Sequence, residues 1–299
     1  MRIVLIDADL IVYEAAFCVA KKEKEGVYLN WYQVSKIVNT IVRGILRGSK
    51  ATHHIGFLTE GKSNFRNKVA TTLPYKGQRK TNAEKPHFYN EIRDYLQKHF
   101  GFQMMRGVEA DDALTIASEY FKDNPKVTTV IATKDKDLWQ YAGEHYNMNT
   151  KSLMTITPDE GYRHLWEQVL LGDMGTDNIP GLSHSGKWEI LFRDEEARKK
   201  HRPIPCHSFG KVTVNKILDS MEPKDYPRVI LEHYLAAYGI ENEADDDFGE
   251  QRFYETFTLV YMLLVAPKDL KIHYTPIRVK PSDIAFDGDY DGFRPDLEF

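Results

Sequence analysis

The segment GVEADD at residues 107–112 places three carboxylates within four residues, at a position where a helical pattern begins. Apolar residues recur at helical spacing from Ala113 onward, so these acids are predicted to lie in the first turn of a helix. A single acid at that place would simply cap the helix. Each pair of carboxylates repels by roughly 3 kcal/mol at ~5 Å with an effective dielectric of ~20. Three of them therefore indicate a bound cation.

Further acids follow predicted strands, and these strands must position them. The strands are Ile3–Ile6, Ile55–Leu58 and Thr128–Ala132. Helical patterns at residues 10–17 and Tyr32–Leu46 separate them, which predicts an α/β fold with a largely parallel sheet flanked by helices. Ligands of such sheets bind beyond the carboxyl ends of the strands, so we expect the acids to converge on one crevice. These acids are Asp7, Asp9, Glu60, Glu109, Asp111, Asp112, Asp135 and Asp137.

Another acidic segment, GDMGTDNIPG at residues 172–181, contributes Asp173 and Asp177. Its residue types also suit an ordinary turn. Together with the acids above it makes ten carboxylates, and hard oxygen ligands select Mg²⁺ or Mn²⁺. Two such ions would activate a water and clamp the oxygens of a phosphodiester. The sequence offers no other nucleophile arrangement, since it has no GxSxG segment and no defensible Cys–His pair.

The composition fits a soluble globular protein. Its 299 residues are 42% hydrophobic, enough for one large domain or for a catalytic domain with a smaller appendage. No stretch predicts a signal peptide or a membrane span, so we expect a cytosolic location. Cys18 and Cys206 lack the spacing of a disulfide framework or a zinc site. The net charge of −4 argues against a nucleic-acid partner. The strongly basic stretch 62–85 nevertheless indicates a local surface that suits nucleic acid.

Several ordered motifs resemble the 5′-nuclease superfamily of flap endonucleases and 5′→3′ exonucleases, most closely its phage members. The resemblance spans roughly residues 1–220. Its acidic motifs are LIDAD at 5–9, GVEADD at 107–112, ATKDKD at 132–137 and GDMGTDNIPG at 172–181. Lys136 replaces the family's usual Gly, and one extra residue separates Asp173 from Asp177.

The resemblance implies which acids bind metal. It also implies that Asp111 and Asp135 are catalytic. The metal ligands that it implies are Asp7, Glu60, Glu109, Asp111, Asp112, Asp135, Asp137, Asp173 and Asp177.

The segment PYKGQR at residues 74–79 is similar to the Tyr-Lys-x-x-Arg segment of the family's helical arch. By that resemblance, Lys76 and Arg79 contact the scissile phosphate and stabilise charge in the transition state. A charge run is more often a solvated face. Here, however, basic residues are interleaved with Phe65, Tyr75, Phe88 and Tyr89, which suits a single-stranded 5′ end. The DNA-binding residues expected in this stretch are Lys62, Arg66, Lys68, Tyr75, Lys76, Arg79 and Lys80.

The family also carries a helix-hairpin-helix that grips the duplex backbone, often with a K⁺ ion. Two segments compete for this role, at residues 181–191 and 208–218. We favour the second, with residues 183–207 as an insertion. The DNA-binding residues expected there are Ser208, Gly210, Lys211 and Thr213.

These patterns predict the following domain organisation. A catalytic α/β domain of the PIN or 5′-nuclease kind spans residues 1–180 and includes a basic arch over 62–100. A helical DNA-binding lobe with the helix-hairpin-helix spans 181–265, where Tyr226–Tyr238 and Phe253–Val265 are apolar at helical spacing. Residues 266–299 form a C-terminal extension.

The sequence therefore predicts a metal-dependent 5′→3′ exonuclease or 5′ flap endonuclease. We expect it to use two Mg²⁺ or Mn²⁺ ions and to act on DNA, or on RNA/DNA hybrids, in replication or repair. We also expect the protein to be a monomer and to have replication proteins as partners. If it is encoded by a phage, we expect it in the cytoplasm of the host.

Two alternatives remain open. LIDAD also suits a phosphatase with a nucleophilic Asp, although such an enzyme would not need three acids at 107–112. A DNA-binding module with a decayed site would have lost ligands such as Asp7, Asp135 and Asp137, which are all present.

Overall fold

A computed structural model describes residues 1–61, 64–78, 85–182, 210–238 and 248–264. These residues divide into two compact units. The first comprises residues 1–61, 64–65, 85–157 and 262–264, and the second comprises 66–78, 158–182, 210–238 and 248–261. The second unit thus combines the basic stretch 66–78 with residues between 158 and 261.

The secondary structure comprises the following elements. The strands are β1 (Arg2–Asp7), β2 (His53–Thr59), β3 (Gln103–Met105), β4 (Thr128–Thr133), β5 (Gly143–Asn147), β6 (Ser152–Ile156), β7 (Gly172–Asp173) and β8 (Ile179–Pro180). The α-helices are α1 (Ala8–Lys24), α2 (Trp31–Gly48), α3 (Arg66–Val69), α4 (Tyr89–Phe100), α5 (Ala110–Phe121), α6 (Pro158–Leu171), α7 (Lys211–Asp219), α8 (Tyr226–Tyr238) and α9 (Phe248–Val260).

A six-stranded sheet in the order β3-β2-β1-β4-β5-β6 forms the centre of the first unit. The first five strands run parallel, and β6 pairs antiparallel to β5. The prediction of a largely parallel α/β sheet is thus confirmed. The sequence did not predict β5 and β6, because GEHYN and SLMTI lack the continuous apolar run that marks the buried strands β1 and β4.

Both faces of the sheet are covered. Val4 and Ile6 of β1 pack with α1, α2 and α4, whereas Ile3 and Leu5 pack with α5 on the opposite face. This alternation follows from the two-residue period of a strand. Because β1 is buried on both sides, the polar Asp7 at its end is carried into a buried environment as well.

The second unit is mainly helical, with β7 and β8 pairing as a short antiparallel ribbon. Helix α8 matches the prediction at both ends. Helix α9 begins and ends five residues earlier than predicted. It stops there because Met262 and Leu263 donate their amides to Gln140 Oε1 (2.9 Å) and Asp112 Oδ1 (3.2 Å), not to the preceding turn.

Several predictions fall wholly or partly outside the described residues. Of the favoured helix-hairpin-helix segment, α7 is described, but Ser208 and the insertion at 183–207 are not. Cys206 and the extension from 266 also lie outside, whereas Cys18 is a free thiol. Across the described ranges, no helix is both long enough and apolar enough to span a membrane.

Arg66 has a different role from the predicted DNA contact. Its side chain is buried, Nε donates to Leu259 O at 2.9 Å, and Nη2 donates to Tyr261 O at 2.9 Å. These carbonyls lie at the carboxyl end of α9, where intrahelical donors run out and a cation is favourable. Arg66 therefore caps a helix.

We predict that Arg66→Met lowers the free energy of unfolding by about 2–4 kcal/mol, because charged hydrogen bonds to buried carbonyls are lost. Urea denaturation measures this change. Lys68→Met is the control: Lys68 is exposed two residues away, and its removal leaves the unfolding midpoint unchanged. Unchanged stability in Arg66→Met, together with weaker DNA binding, would restore the original expectation.

Candidate active site

Asp7, at the carboxyl end of β1, is a carboxyl group whose surroundings strongly disfavour its charged form. It is buried, and Thr133 Oγ1 from the adjacent strand β4 donates to its Oδ2 at 3.4 Å. Burial, together with the negative charges of Asp9 and Asp135, raises the pKa of Asp7 to about 8. The parallel pairing of β1 with β4 thus brings Asp135 near Asp7, whereas Asp9 is near because it follows Asp7 by two residues.

The acids after β4 are ordered by two successive side-chain hydrogen bonds. Asp135 N donates to Thr133 Oγ1 and Asp137 N donates to Asp135 Oδ1, both at 3.0 Å. Lys136, which replaces the family's usual Gly, has φ −78° and ψ −19°. Any residue adopts that conformation, so this departure from the pattern does not disturb the turn.

Asp9 is paired with a cation that the sequence did not reveal. Its Oδ1 accepts from Arg93 Nη1 at 2.8 Å and its Oδ2 accepts from Thr59 N at 2.9 Å. Arg93 Nη2 also donates to Thr59 O at 2.6 Å. Arg93 of α4 therefore ties the ends of β1 and β2 together. The sequence did not identify Arg93 as the partner of Asp9. The neighbouring Ile92 is buried, but an apolar residue beside an arginine does not show which acid the arginine pairs with.

The segment 107–112 both caps α5 and presents acids. Glu109 is the N-cap and forms a capping box with Asp112, in which Glu109 N donates to Asp112 Oδ2 at 3.2 Å. Asp112 is fully buried, and its Oδ1 accepts from Leu263 N at 3.2 Å. We expected a single acid to be enough to cap this helix. The cap of α5 instead uses two acids, Glu109 and Asp112. Asp111 is half-buried in the first turn.

Glu60 forms a salt bridge with Arg106, whose Nε lies 3.1 Å from Glu60 Oε1. The eight acids expected in one crevice thus have several different partners, and two of them, Asp9 and Glu60, are neutralised by arginines. In the part of the chain that the structure describes, no group of three or more His, Cys, Asp or Glu side chains is arranged to hold a metal ion. The donor chemistry still fits one, because the carboxylates around Asp7 are hard oxygen ligands of like charge.

In the second unit, Lys76 and Asp177 lie on two hydrogen-bonded loops. Lys76 N donates to Asp177 O at 2.8 Å, Lys76 Nζ lies 3.8 Å from Asp177 Oδ2, and Tyr75 OH donates to the same oxygen at 2.9 Å. Asn178 Nδ2 donates to Pro74 O at 2.9 Å. Asp173 Oδ1 accepts from Thr176 N at 2.9 Å, so it also stabilises the turn that its residue type suggested.

Several residues predicted to contact DNA have other surroundings. Tyr75 and Phe65 are buried, so their rings are not available for stacking on bases. Phe88 packs against Trp31, with ring centroids 5.9 Å apart. Lys68, Gly210, Lys211 and Thr213 are exposed. Lys62, Arg79, Lys80 and Ser208 lie outside the described residues.

A protein-family match covers more than half of the chain. The family described as "5′-3′ exonuclease, N-terminal resolvase-like domain" matches residues 2–166. A search of curated proteins found no match.

Three solved structures of bacteriophage T5 proteins are similar. A flap endonuclease variant in a pseudo-enzyme–product complex with DNA and metal ions has a TM-score of 0.46 and 15% identity, covering 87% of this chain and 99% of that one. The same T5 protein co-crystallised with metal ions has a TM-score of 0.46 and 16% identity, covering 87% and 100%. A T5 5′-exonuclease mutant has a TM-score of 0.44 and 15% identity, covering 87% and 99%.

We predict that metal-free protein loses stability as the pH rises. The pKa of Asp7 is above its ordinary value of 3.8 in the folded state, so its contribution is fully present below about pH 4 and is lost as the pH approaches 8. Each pKa unit corresponds to about 1.4 kcal/mol. Asp7→Asn should therefore be more stable than wild type at pH 8 in EDTA and lose that advantage near pH 4.

Thermal unfolding in EDTA at several pH values measures this crossover. Asp94→Asn is the matched control, because Asp94 is an exposed aspartate of the same unit whose pairing with Lys98 is solvent-exposed. Parallel stability curves for wild type and Asp7→Asn would contradict the assignment of repulsion to Asp7.

Proposed function

This chain belongs to the 5′–3′ exonuclease family through its N-terminal resolvase-like domain, and from that premise we propose that it is a metal-dependent nuclease acting at 5′ ends or 5′ flaps of DNA. The observation that supports this proposal is the buried carboxyl group of Asp7, which faces Asp9 and Asp135. Like charges at a buried site are costly unless a cation accompanies them.

We propose that Asp7 and Asp135 would hold Mg²⁺ or Mn²⁺, with Asp137, Glu109 and Asp111 as further oxygen donors. When bound, such ions activate water and stabilise charge on phosphodiester oxygens. Asp112 would act by fixing the helix that carries Glu109 and Asp111, since its own oxygens accept backbone amides. Glu60 would contribute only after leaving Arg106. A second ion at Asp173 and Asp177 rests on the family resemblance.

The residues that bind the substrate are proposed separately. Lys76, a half-buried lysine, would contact a substrate phosphate, as would Arg79 by resemblance. Gly210, Lys211 and Thr213 lie at the start of α7, where free amides favour a DNA backbone phosphate. A K⁺ ion there, RNA/DNA hybrids as substrates, replication proteins as partners and a monomeric state are parts of the same proposal.

We predict that Asp135→Asn abolishes cleavage while DNA binding is kept or improved, because a repulsive carboxylate is removed. An end-labelled 5′-flap DNA, incubated with Mg²⁺ or with chelator, gives both the rate and the product length, and a filter-binding assay gives the affinity. Asp111→Asn should behave in the same way. Wild-type turnover in either variant would refute its role as a ligand.

The same assay separates the alternatives. Hydrolysis of small phosphate esters without DNA cleavage would favour the phosphatase, and binding without cleavage would favour the inactive module. Metal-dependent release of short products from the 5′ end supports the nuclease.

We predict that Lys76→Ala lowers the single-turnover rate by about tenfold to a hundredfold, because a fixed cation near the developing phosphate charge is lost. Quench-flow kinetics at saturating DNA measures this rate. Lys98→Ala is the control, since Lys98 is an exposed lysine of α4 that pairs only weakly with Asp94. Equal rates for Lys76→Ala and wild type would remove Lys76 from the mechanism.

A further inference from the structure

Glu255, a buried carboxylate on α9, holds the segment that leads into the Lys76 loop. Its Oε1 accepts from the amides of Thr71 and Thr72, both at 2.9 Å. Its Oε2 accepts from the hydroxyls of the same two threonines, at 2.8 and 2.9 Å. Four hydrogen bonds therefore converge on one side chain that is only 8% exposed.

Arg252, one turn earlier on α9, extends this arrangement to the acidic loop. Its Nη1 donates to Glu255 Oε2 at 2.8 Å and also contacts Thr72 Oγ1. Its Nη2 donates to Pro180 O at 2.9 Å, and Thr256 Oγ1 donates to the same carbonyl at 3.1 Å. Pro180 lies in β8, three residues after Asp177. The Arg252–Glu255 pair thus joins the base of the Lys76 loop to the base of the Asp177 loop.

Both ends of the segment 66–72 are fixed on α9, because Arg66 caps its carboxyl end and Glu255 binds Thr71 and Thr72. Beyond this segment the Lys76 loop is bonded to the Asp177 loop through Lys76 N and through Asn178 Nδ2. Lys76 therefore lies only a few residues beyond threonines that are fixed on α9.

The backbone of Lys76 shows that the loop is constrained. Lys76 has φ +55°, in the left-handed region that residues other than glycine seldom occupy. Such a conformation persists only when its surroundings over-determine it. A buried ion pair is also a poor source of stability compared with apolar packing. These two facts together favour a role for Glu255 and Arg252 in geometry rather than in stability.

We propose that Glu255, with Arg252, is a positioning residue for Lys76: it fixes the threonine base of the loop so that the Lys76 ammonium meets a substrate phosphate. This inference rests on the nuclease function proposed above. Glu255 itself does not touch substrate, so its loss should act through Lys76.

A double-mutant cycle tests this dependence. Glu255→Ala should lower the single-turnover rate on 5′-flap DNA with Mg²⁺ by about tenfold or more, because small misplacements of catalytic groups are costly. In a Lys76→Ala background the same substitution should change the rate by less than about twofold, since the group that it positions is gone. Glu255→Gln, which keeps an oxygen for the two threonine amides, should recover part of the rate.

A matched control separates positioning from loss of stability. Tyr234→Phe removes another buried hydrogen bond of the second unit, from Tyr234 OH to Val169 O. Thermal midpoints are measured for all variants, and Tyr234→Phe should keep the wild-type rate at a similar loss of midpoint. Thr72→Val, which removes only one hydroxyl, provides a milder version of the change should Glu255→Ala fail to fold.

Each outcome has a distinct meaning. If Glu255→Ala slows the wild type and the Lys76→Ala protein by the same factor, or if Tyr234→Phe slows cleavage equally, the positioning role is refuted. If wild type shows no metal-dependent cleavage, the proposed nuclease function itself is refuted, and the positioning role falls with it. Non-additive rates with an unaffected Tyr234→Phe support the inference.

Discussion

Repulsion between carboxylates at the ends of neighbouring parallel strands is the constraint on which the first unit depends. The pairing of β1 with β4 is required to bury the sheet, and it inevitably brings Asp7 near the acids that follow β4. Apolar burial of the strands outweighs this repulsion, which the protein then limits locally. Arg93 neutralises Asp9, and Thr133 holds Asp7 and orients Asp135. The repulsion that is left is concentrated at Asp7, whose raised pKa favours the protonated form unless a cation takes the place of the proton.

In the second unit, the main constraint is the position of Lys76, whose long side chain has many rotamers. The unit fixes this position with backbone amides and buried charges rather than with a rigid element around Lys76. Helix α9 is the common support for both loops, since it binds the threonines before Lys76 and the proline after Asp177. The position of the Lys76 loop therefore depends on Glu255 and Arg252, which are distant from it in sequence.

The sequence predicted the elements well because their signals are local. Apolar runs marked β1 and β4, and helical spacing marked α2 and α8. The partners of charged residues were not predictable in the same way. Arg66 and Leu259 are 193 positions apart, and nothing in a basic stretch distinguishes a buried helix cap from a DNA contact. Tyr75 illustrates the same limit, because an aromatic residue among lysines suits base stacking and core packing equally. Glu109 and Asp112 were predicted only as metal ligands, and their pattern did not reveal that together they cap α5.

The return of the chain to the first unit after α9 has a consequence for how the protein is made. Leu263 donates to Asp112 and accepts from Thr115, so residues late in the chain complete the environment of a helix that is synthesised much earlier. While the ribosome is still translating the middle of the message, α5 lacks this partner and the buried carboxylate of Asp112 remains only partly satisfied. The nascent first unit would therefore complete the surroundings of Asp112 only after residue 263 has emerged, which is about 150 residues after α5 itself.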